Sequence, residues 1–202
     1  KHGIPIFENE SYADFRIDGD MLPPAMMAMD DQDSVIYVSA YTKLLGCGLR
    51  LGFGVLPEPV MDKMKLLNFG PSPSHLTAMA VHQYLRDHGD RYVRRVASSL
   101  RAKRDAMLAA LGEYFPPGIE WSNPAGGMMI WGRLPQGANT WEALGHAVEA
   151  GVTYNPGPMY RADRTGHDYI RLTYSYNSPD QITKGISILA DVFERQGLFR
   201  NA

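Results

Sequence analysis

The stretch Ser39-Ala40-Tyr41-Thr42-Lys43-Leu44-Leu45-Gly46-Cys47-Gly48-Leu49-Arg50 places a lysine among hydroxyls and glycines, with an arginine seven residues further on. Lysine is the side chain whose pKa falls most readily on burial, and arginine offers a rigid fork of donors matched to phosphate. A partly desolvated amine deprotonates and attacks an aldehyde, forming a Schiff base. Hydroxyls, glycine backbone and a guanidinium nearby are what a dianionic phosphate needs. Most lysines are solvated surface residues, and the spacing alone leaves that plainer reading open.

The elements that must position these groups are legible around them. Ile4–Phe7, Val35–Val38 and Leu51–Leu56 are short apolar runs of the kind a sheet covered on both faces produces, the last ended by Pro57. Asp18-Gly19 and Leu22-Pro23-Pro24 mark turns in a polar loop between the first two. Two helices are expected next, Ser74 to His88 stopping at Gly89, and Asp90 to Tyr114 ended by Pro116-Pro117. Val93, Val96, Leu100, Met107 and Leu111 share one face of the second at the helical period. The last third alternates strand candidates (Gly118–Trp121, Gly127–Trp131, Val152–Asn155, Tyr169–Thr173) with helices. Asn139-Thr140-Trp141-Glu142 reads as a capping box opening a helix through Glu149. Ser178-Pro179-Asp180-Gln181 reads as a stronger one, and its helix carries Ile182, Ile186, Leu189 and Phe193 on one stripe.

A chain of 202 residues is long enough to bury a real core in one or two units. A net charge of -2 with no basic cluster gives no footing for nucleic acid or an anionic membrane surface. No apolar run approaches the roughly 18 residues of a membrane span. Cys47 is the single cysteine and cannot close an intrachain disulfide, so a reducing, cytoplasmic compartment is expected. The chain opens on Lys1-His2-Gly3 rather than Met and runs directly into Ile4-Pro5-Ile6-Phe7, as though a helix ended at Gly3.

The run through Lys43 and Arg50 resembles the Ser-Phe-Ser-Lys-x-x-x-x-Gly-x-Arg-x-Gly signature of fold-type-I aminotransferases. It is most similar to the aminoadipate/kynurenine aminotransferases and the aminotransferase domains of MocR-type regulators. Four further segments resemble the same family in the same order: Ile6-Phe7-Glu8-Asn9-Glu10-Ser11-Tyr12, Pro124-Ala125-Gly126-Gly127-Met128-Met129-Ile130-Trp131, Gly151-Val152-Thr153-Tyr154-Asn155-Pro156-Gly157 and Tyr169-Ile170-Arg171-Leu172-Thr173-Tyr174-Ser175. The resemblance implies an α/β fold. Residues 1–95 would be the C-terminal part of the cofactor-binding large domain, a mostly parallel sheet with helices. Residues 96–202 would be an α+β small domain.

The resemblance also implies pyridoxal phosphate as cofactor and amino-group transfer from an amino acid to a 2-oxo acid, in a homodimer. Lys43 matches the lysine that bonds the cofactor and moves the proton, and Arg50 the phosphate-binding arginine. Tyr12 matches the tyrosine beside the cofactor's phenolic oxygen, and Arg171 the arginine that clamps the substrate carboxylate. Two positions depart from the pattern. Asn9 stands where the family has an aspartate against the pyridine nitrogen, and Glu10 beside it is expected on the opposite face of the strand. Ala40 stands where the family has a phosphate-binding serine, leaving Ser39 or Thr42 to substitute. The family's first half has no counterpart here, so a fragment, a processed product or one subunit of a split enzyme is expected, inactive by itself. A lyase on the same scaffold, or the effector domain of a MocR/GntR-type regulator, are the alternative readings.

Overall fold

The computed structural model describes residues 4–19, 22–67, 70 and 72–200. The helix end expected at Gly3 lies outside them. The chain divides into two compact units, Lys1–Val96 and Ala97–Ala202.

The first unit is built on three strands, β1 (Ile6–Asn9), β2 (Val35–Ala40) and β3 (Gly52–Val55), in the order β1-β2-β3. β1 and β2 run parallel with Glu8 opposite Tyr37 and Asn9 opposite Val38. β2 and β3 run antiparallel with Ser39 opposite Phe53 and Ala40 opposite Gly52. The expectation of a mostly parallel sheet is therefore corrected: among the described residues this sheet is mixed. The cause is local, since β2 turns straight back into β3 through residues 42–50, and a hairpin forces antiparallel pairing. Between β1 and β2 lies the single turn α1 (Met26–Met29). Glu8, only 6% exposed, accepts from the backbone N–H of Met26 (2.7 Å) and Met27 (2.9 Å). A buried carboxylate thus satisfies donors that the short helix leaves open.

After β3 comes α2 (Glu58–Leu67), which opens with Pro59 in its first turn and has Lys65 in its last. It buries no side chain. A 40-residue helix, α3 (His75–Tyr114), follows. Two helices broken at Gly89 were expected, and this too is corrected. A glycine in a helix interior costs about 1 kcal/mol relative to alanine, and it stops a helix only when it takes a left-handed conformation or proline follows. Gly89 is not among the positive-φ residues, and strong helix formers flank it.

The second unit is an antiparallel sheet of β4 (Glu120–Trp121), β5 (Met129–Arg133), β6 (Asn155–Pro156) and β7 (Tyr169–Thr173), in the order β4-β5-β7-β6. Helices α4 (Thr140–Glu149) and α5 (Pro179–Arg195) complete it. β5 and β7 alternate strictly: Ile130, Ile170 and Leu172 are buried, while Trp131, Tyr169 and Arg171 lie half-exposed on the other face. Asn139 caps α4 by accepting from the N–H of Trp141 and Glu142, and Ser178 and Gln181 form the full reciprocal box at α5. Ile182, Ile186, Leu189 and Phe193 are all buried as the stripe predicts. Phe115 packs edge-on against Trp121, Phe193 and Phe199. Gly132 is required by this packing, because a Cβ there would sit 2.1 Å from the Trp121 ring. Among the described residues no helix is long and apolar enough to cross a membrane.

Two buried phenols tie this unit together. Tyr154 donates to the Thr140 carbonyl (2.6 Å) and Tyr174 to the Gly127 carbonyl (2.8 Å). Burial pushes the Tyr154 phenol well up, and that of Tyr174 up to about 12. An unfolded tyrosine ionises near pH 10. The folded state therefore holds these protons longer, so their stabilisation is complete below about pH 10 and is lost as pH rises toward 12. Urea unfolding between pH 9 and 11.5 should show stability falling with pH, with a shallower fall in Tyr154→Phe and Tyr174→Phe. An unchanged slope in both variants would remove the phenols as the cause.

Candidate active site

In the first unit the chain leaves β2 at Ala40 and enters the loop that carries Lys43. Tyr41 N–H donates to the Leu51 carbonyl (3.0 Å), closing the loop at its base. Inside it, the N–H groups of Leu45 (2.8 Å) and Gly46 (3.3 Å) both turn back to the Tyr41 carbonyl. Gly46 has φ 140, a conformation that a Cβ disfavours, and it leads into a 3-10 turn over Cys47–Leu49. Leu44 is buried beneath the loop, and the Tyr92 hydroxyl donates to its carbonyl at 2.8 Å. The backbone either side of Lys43 is thus held from two directions while the Lys43 side chain remains exposed. The desolvation expected of this lysine is not supplied by the described residues of the chain itself.

The loop brings Lys43 to Tyr12: the ammonium lies 5.9 Å from the centre of the tyrosine ring. Tyr12 follows β1, with its ring also against Phe15 at 5.9 Å. Two residues thirty-one positions apart therefore meet where β1 and β2 end side by side. Asn9 is exposed at the end of β1, and its Oδ1 accepts from both the N–H (3.1 Å) and the hydroxyl (2.7 Å) of Ser11. That local turn shapes the approach to Tyr12. Asn9 shares its face of the sheet with Val38, Ala40 and Gly52 through the strand registers.

Glu10 goes elsewhere. Its N–H continues the ladder to the Val38 carbonyl (3.0 Å), and its carboxylate accepts from the Tyr37 hydroxyl (3.2 Å), on the face of Glu8. Burial first, and then this carboxylate, raises the Tyr37 phenol pKa above its ordinary value. Ser39 lies on the same side and donates its hydroxyl to the Glu10 carbonyl at 3.3 Å. Thr42, next to Lys43 in the chain, is half-buried within the loop.

Arg50 ends the 3-10 turn in the left-handed region, at φ 48 and ψ 41. For a residue with a Cβ that conformation costs about 1–2 kcal/mol. One guanidinium nitrogen donates to the Cys47 carbonyl at 3.4 Å, and the side chain is otherwise exposed.

In the second unit, Arg171 lies on the half-exposed face of β7, opposite Trp131 on one side and Asn155 on the other. Its guanidinium carbon sits 4.3 Å from the centre of the Tyr160 ring, and Nη2 donates to Asn155 Oδ1 at 3.4 Å. Its Nε is buried without a hydrogen-bond partner. Asn155 and Tyr160 were not anticipated from the sequence, because their proximity to Arg171 arises from the β6–β7 pairing and the 3-10 turn Gly157–Tyr160.

In the first unit a sheet end presents Lys43 beside Tyr12, with Arg50 further along the same loop. In the second unit, described by itself, Arg171 lies against Tyr160 and Asn155. The family described as aminotransferase class I and II matches residues 1–189, and the chain belongs to it. It is 33% identical over 202 residues to an uncharacterized aminotransferase of Saccharolobus solfataricus, covering 97% of this chain and 49% of that protein. It is 28% identical to the helix-turn-helix transcriptional regulator YdfD of Bacillus subtilis, covering 91% of this chain and 38% of that protein. The crystal structure of Pyrococcus horikoshii kynurenine aminotransferase, in complex with PMP, kynurenine and its product, superposes with a TM-score of 0.87 at 29% identity. That match covers 95% of this chain and 48% of the other. The chain thus spans about half the length, or less, of the curated relatives it matches.

Proposed function

We propose that the protein containing this chain is a pyridoxal-phosphate-dependent aminotransferase, moving an amino group from an amino acid to a 2-oxo acid. The observation that carries this reading is the approach of Lys43 to Tyr12 at the joined ends of β1 and β2, in a chain of this family. The described residues fit the cofactor in part. Lys43 would bond it, Arg50 and Thr42 would hold its phosphate, and Tyr12 would donate toward its phenolic oxygen. Asn9 would face its ring nitrogen with an amide, and Ser39 has its hydroxyl committed to Glu10. The cofactor, when bound, supplies the electron sink, and the protein supplies orientation and electrostatics.

Lys43 would also be the amine that carries a proton to and from the substrate carbon. The loop that holds its backbone limits where the amine reaches, which is the protein's contribution through proximity. Arg171 receives the substrate carboxylate. Residues 1–95 and 96–202 would be parts of a large and a small domain, in a homodimer located in the cytoplasm.

The reading is tested by amino-group transfer from a panel of L-amino acids to 2-oxoglutarate, pyruvate and glyoxylate by the full-length protein. Transfer from any of them is the expected result, and none with the cofactor bound would overturn it. The second reading, an effector domain that binds amino compounds with little turnover, is favoured by Asn9 and Ala40 and by the likeness to YdfD. Absorbance changes on adding amino acids without product would select it.

Arg171→Lys keeps the charge and loses the two-pronged geometry. It should lower kcat/KM for every amino acid by a similar factor of roughly tenfold or more, the worth of a charge-assisted hydrogen bond. Amines without a carboxylate should be little affected. Equal losses for both would make Arg171 structural.

A further inference from the structure

We infer that Asn155 and Tyr160 are the positioning residues of Arg171, holding its guanidinium so that a carboxylate is received on the edge formed by Nη1 and Nη2. This rests on the reading of Arg171 as the carboxylate clamp.

A guanidinium offers a carboxylate two kinds of two-pronged approach, one along the Nε side and one across its two terminal nitrogens. The Nε of Arg171 is fully buried and unpartnered, so the first approach is closed to anything arriving from solvent. Nη2 has two hydrogens and donates one to Asn155 Oδ1 at 3.4 Å, which sets the rotation of the fork. The Tyr160 ring lies against the guanidinium, its centre 4.3 Å from the central carbon, and fixes the plane. Tyr160 is fixed in turn by edge contact with Trp131 at 5.8 Å. Asn155 faces Arg171 across the β6–β7 register, so strand pairing itself supplies the alignment.

The amide is the telling feature. An aspartate at this position would orient the guanidinium equally well, but its charge would neutralise the arginine and compete with the incoming carboxylate. Asparagine orients without competing. A carbonyl acceptor and a ring face are both uncharged, so the full positive charge is kept for the substrate.

The test uses full-length protein with cofactor bound, following visible absorbance on titration with L-phenylalanine against 2-phenylethylamine, and L-leucine against 3-methylbutylamine. Each pair differs only by the carboxylate, so the ratio of apparent dissociation constants reports the clamp apart from any side-chain pocket. Asn155→Asp should reduce that ratio by tenfold or more, and Asn155→Val several-fold. Tyr160→Phe keeps the ring and should match the native ratio, whereas Tyr160→Leu should fall with Asn155→Val. A native ratio in Asn155→Asp, or equal losses in Tyr160→Phe and Tyr160→Leu, would overturn the inference. Arg171→Ala separates the two levels of the argument. If it leaves the ratio intact, the clamp reading itself fails. If it collapses the ratio while the Asn155 and Tyr160 variants do not, only the positioning role fails.

Discussion

Borohydride treatment of the full-length protein with pyridoxal phosphate should fix the cofactor onto the peptide containing Lys43, and Lys43→Ala should abolish both that label and transamination. The amine has two roles, attachment and proton movement. Loss of a positioned acid–base group alone costs about 10²–10⁴ in rate. The expectation rests on geometry that separates Lys43 from Lys63, Lys65 and Lys103. Lys63 and Lys65 lie on α2, which buries no side chain, and Lys65 pairs with Asp62 at 3.2 Å. Lys103 donates to the Ser175 carbonyl at 2.7 Å. Lys43 alone of these stands in a pinned loop over a tyrosine ring. Label recovered on any other lysine would overturn the assignment.

Asn9→Asp should raise the transamination rate of the full-length protein by roughly an order of magnitude, a change equivalent to one pKa unit of differential stabilisation. A carboxylate beside a protonated ring nitrogen raises that nitrogen's pKa, as any opposite charge near a cation does. An amide does not. Glu10 could have supplied the charge, but its carboxylate is engaged by the Tyr37 hydroxyl on the face of Glu8. The substitution should leave the fold intact, because the Asn9 contacts to Ser11 use only Oδ1 as acceptor, which an aspartate provides equally. A nitrogen-15 shift indicating a fully protonated ring in the native protein would remove the premise. An unchanged or lower rate in Asn9→Asp would point to a site built for ligand sensing.

Much of this was legible because it rests on local patterns. Most strands appear at or beside the short apolar runs between turn residues, although Val152–Asn155 contributes only Asn155 to β6, and α5 appears because Ser178, Pro179 and Gln181 combine a cap with a stripe ending at Phe193. What could not be read is not encoded in a local pattern. Gly89 carries a local stop signal that the rest of a 40-residue helix overrides. α2 has no buried face from which to infer it. The direction of β3 depends on how the Lys43 loop closes, and no periodicity encodes that. Among the candidate residues, Lys43, Arg50, Tyr12 and Arg171 stand out by motif. The commitment of Ser39 to Glu10 and of Asn155 to Arg171 arises only once strands are paired.

The closure of the loop by Tyr41 and Leu51 has a consequence for the length of the motif between them. Inserting a residue into a slack connection costs only the small logarithmic increment of a longer ring. This connection is not slack, since each end continues a strand and its interior is spent on turns about the Tyr41 carbonyl and on the left-handed Arg50. An inserted residue that the loop does not absorb would shift β3 one place along β2, and a one-place shift moves every side chain of β3 to the opposite face. The interval from Lys43 to Arg50 therefore works as a gauge: it is tied to the register of the sheet as well as to the spacing of two cationic side chains.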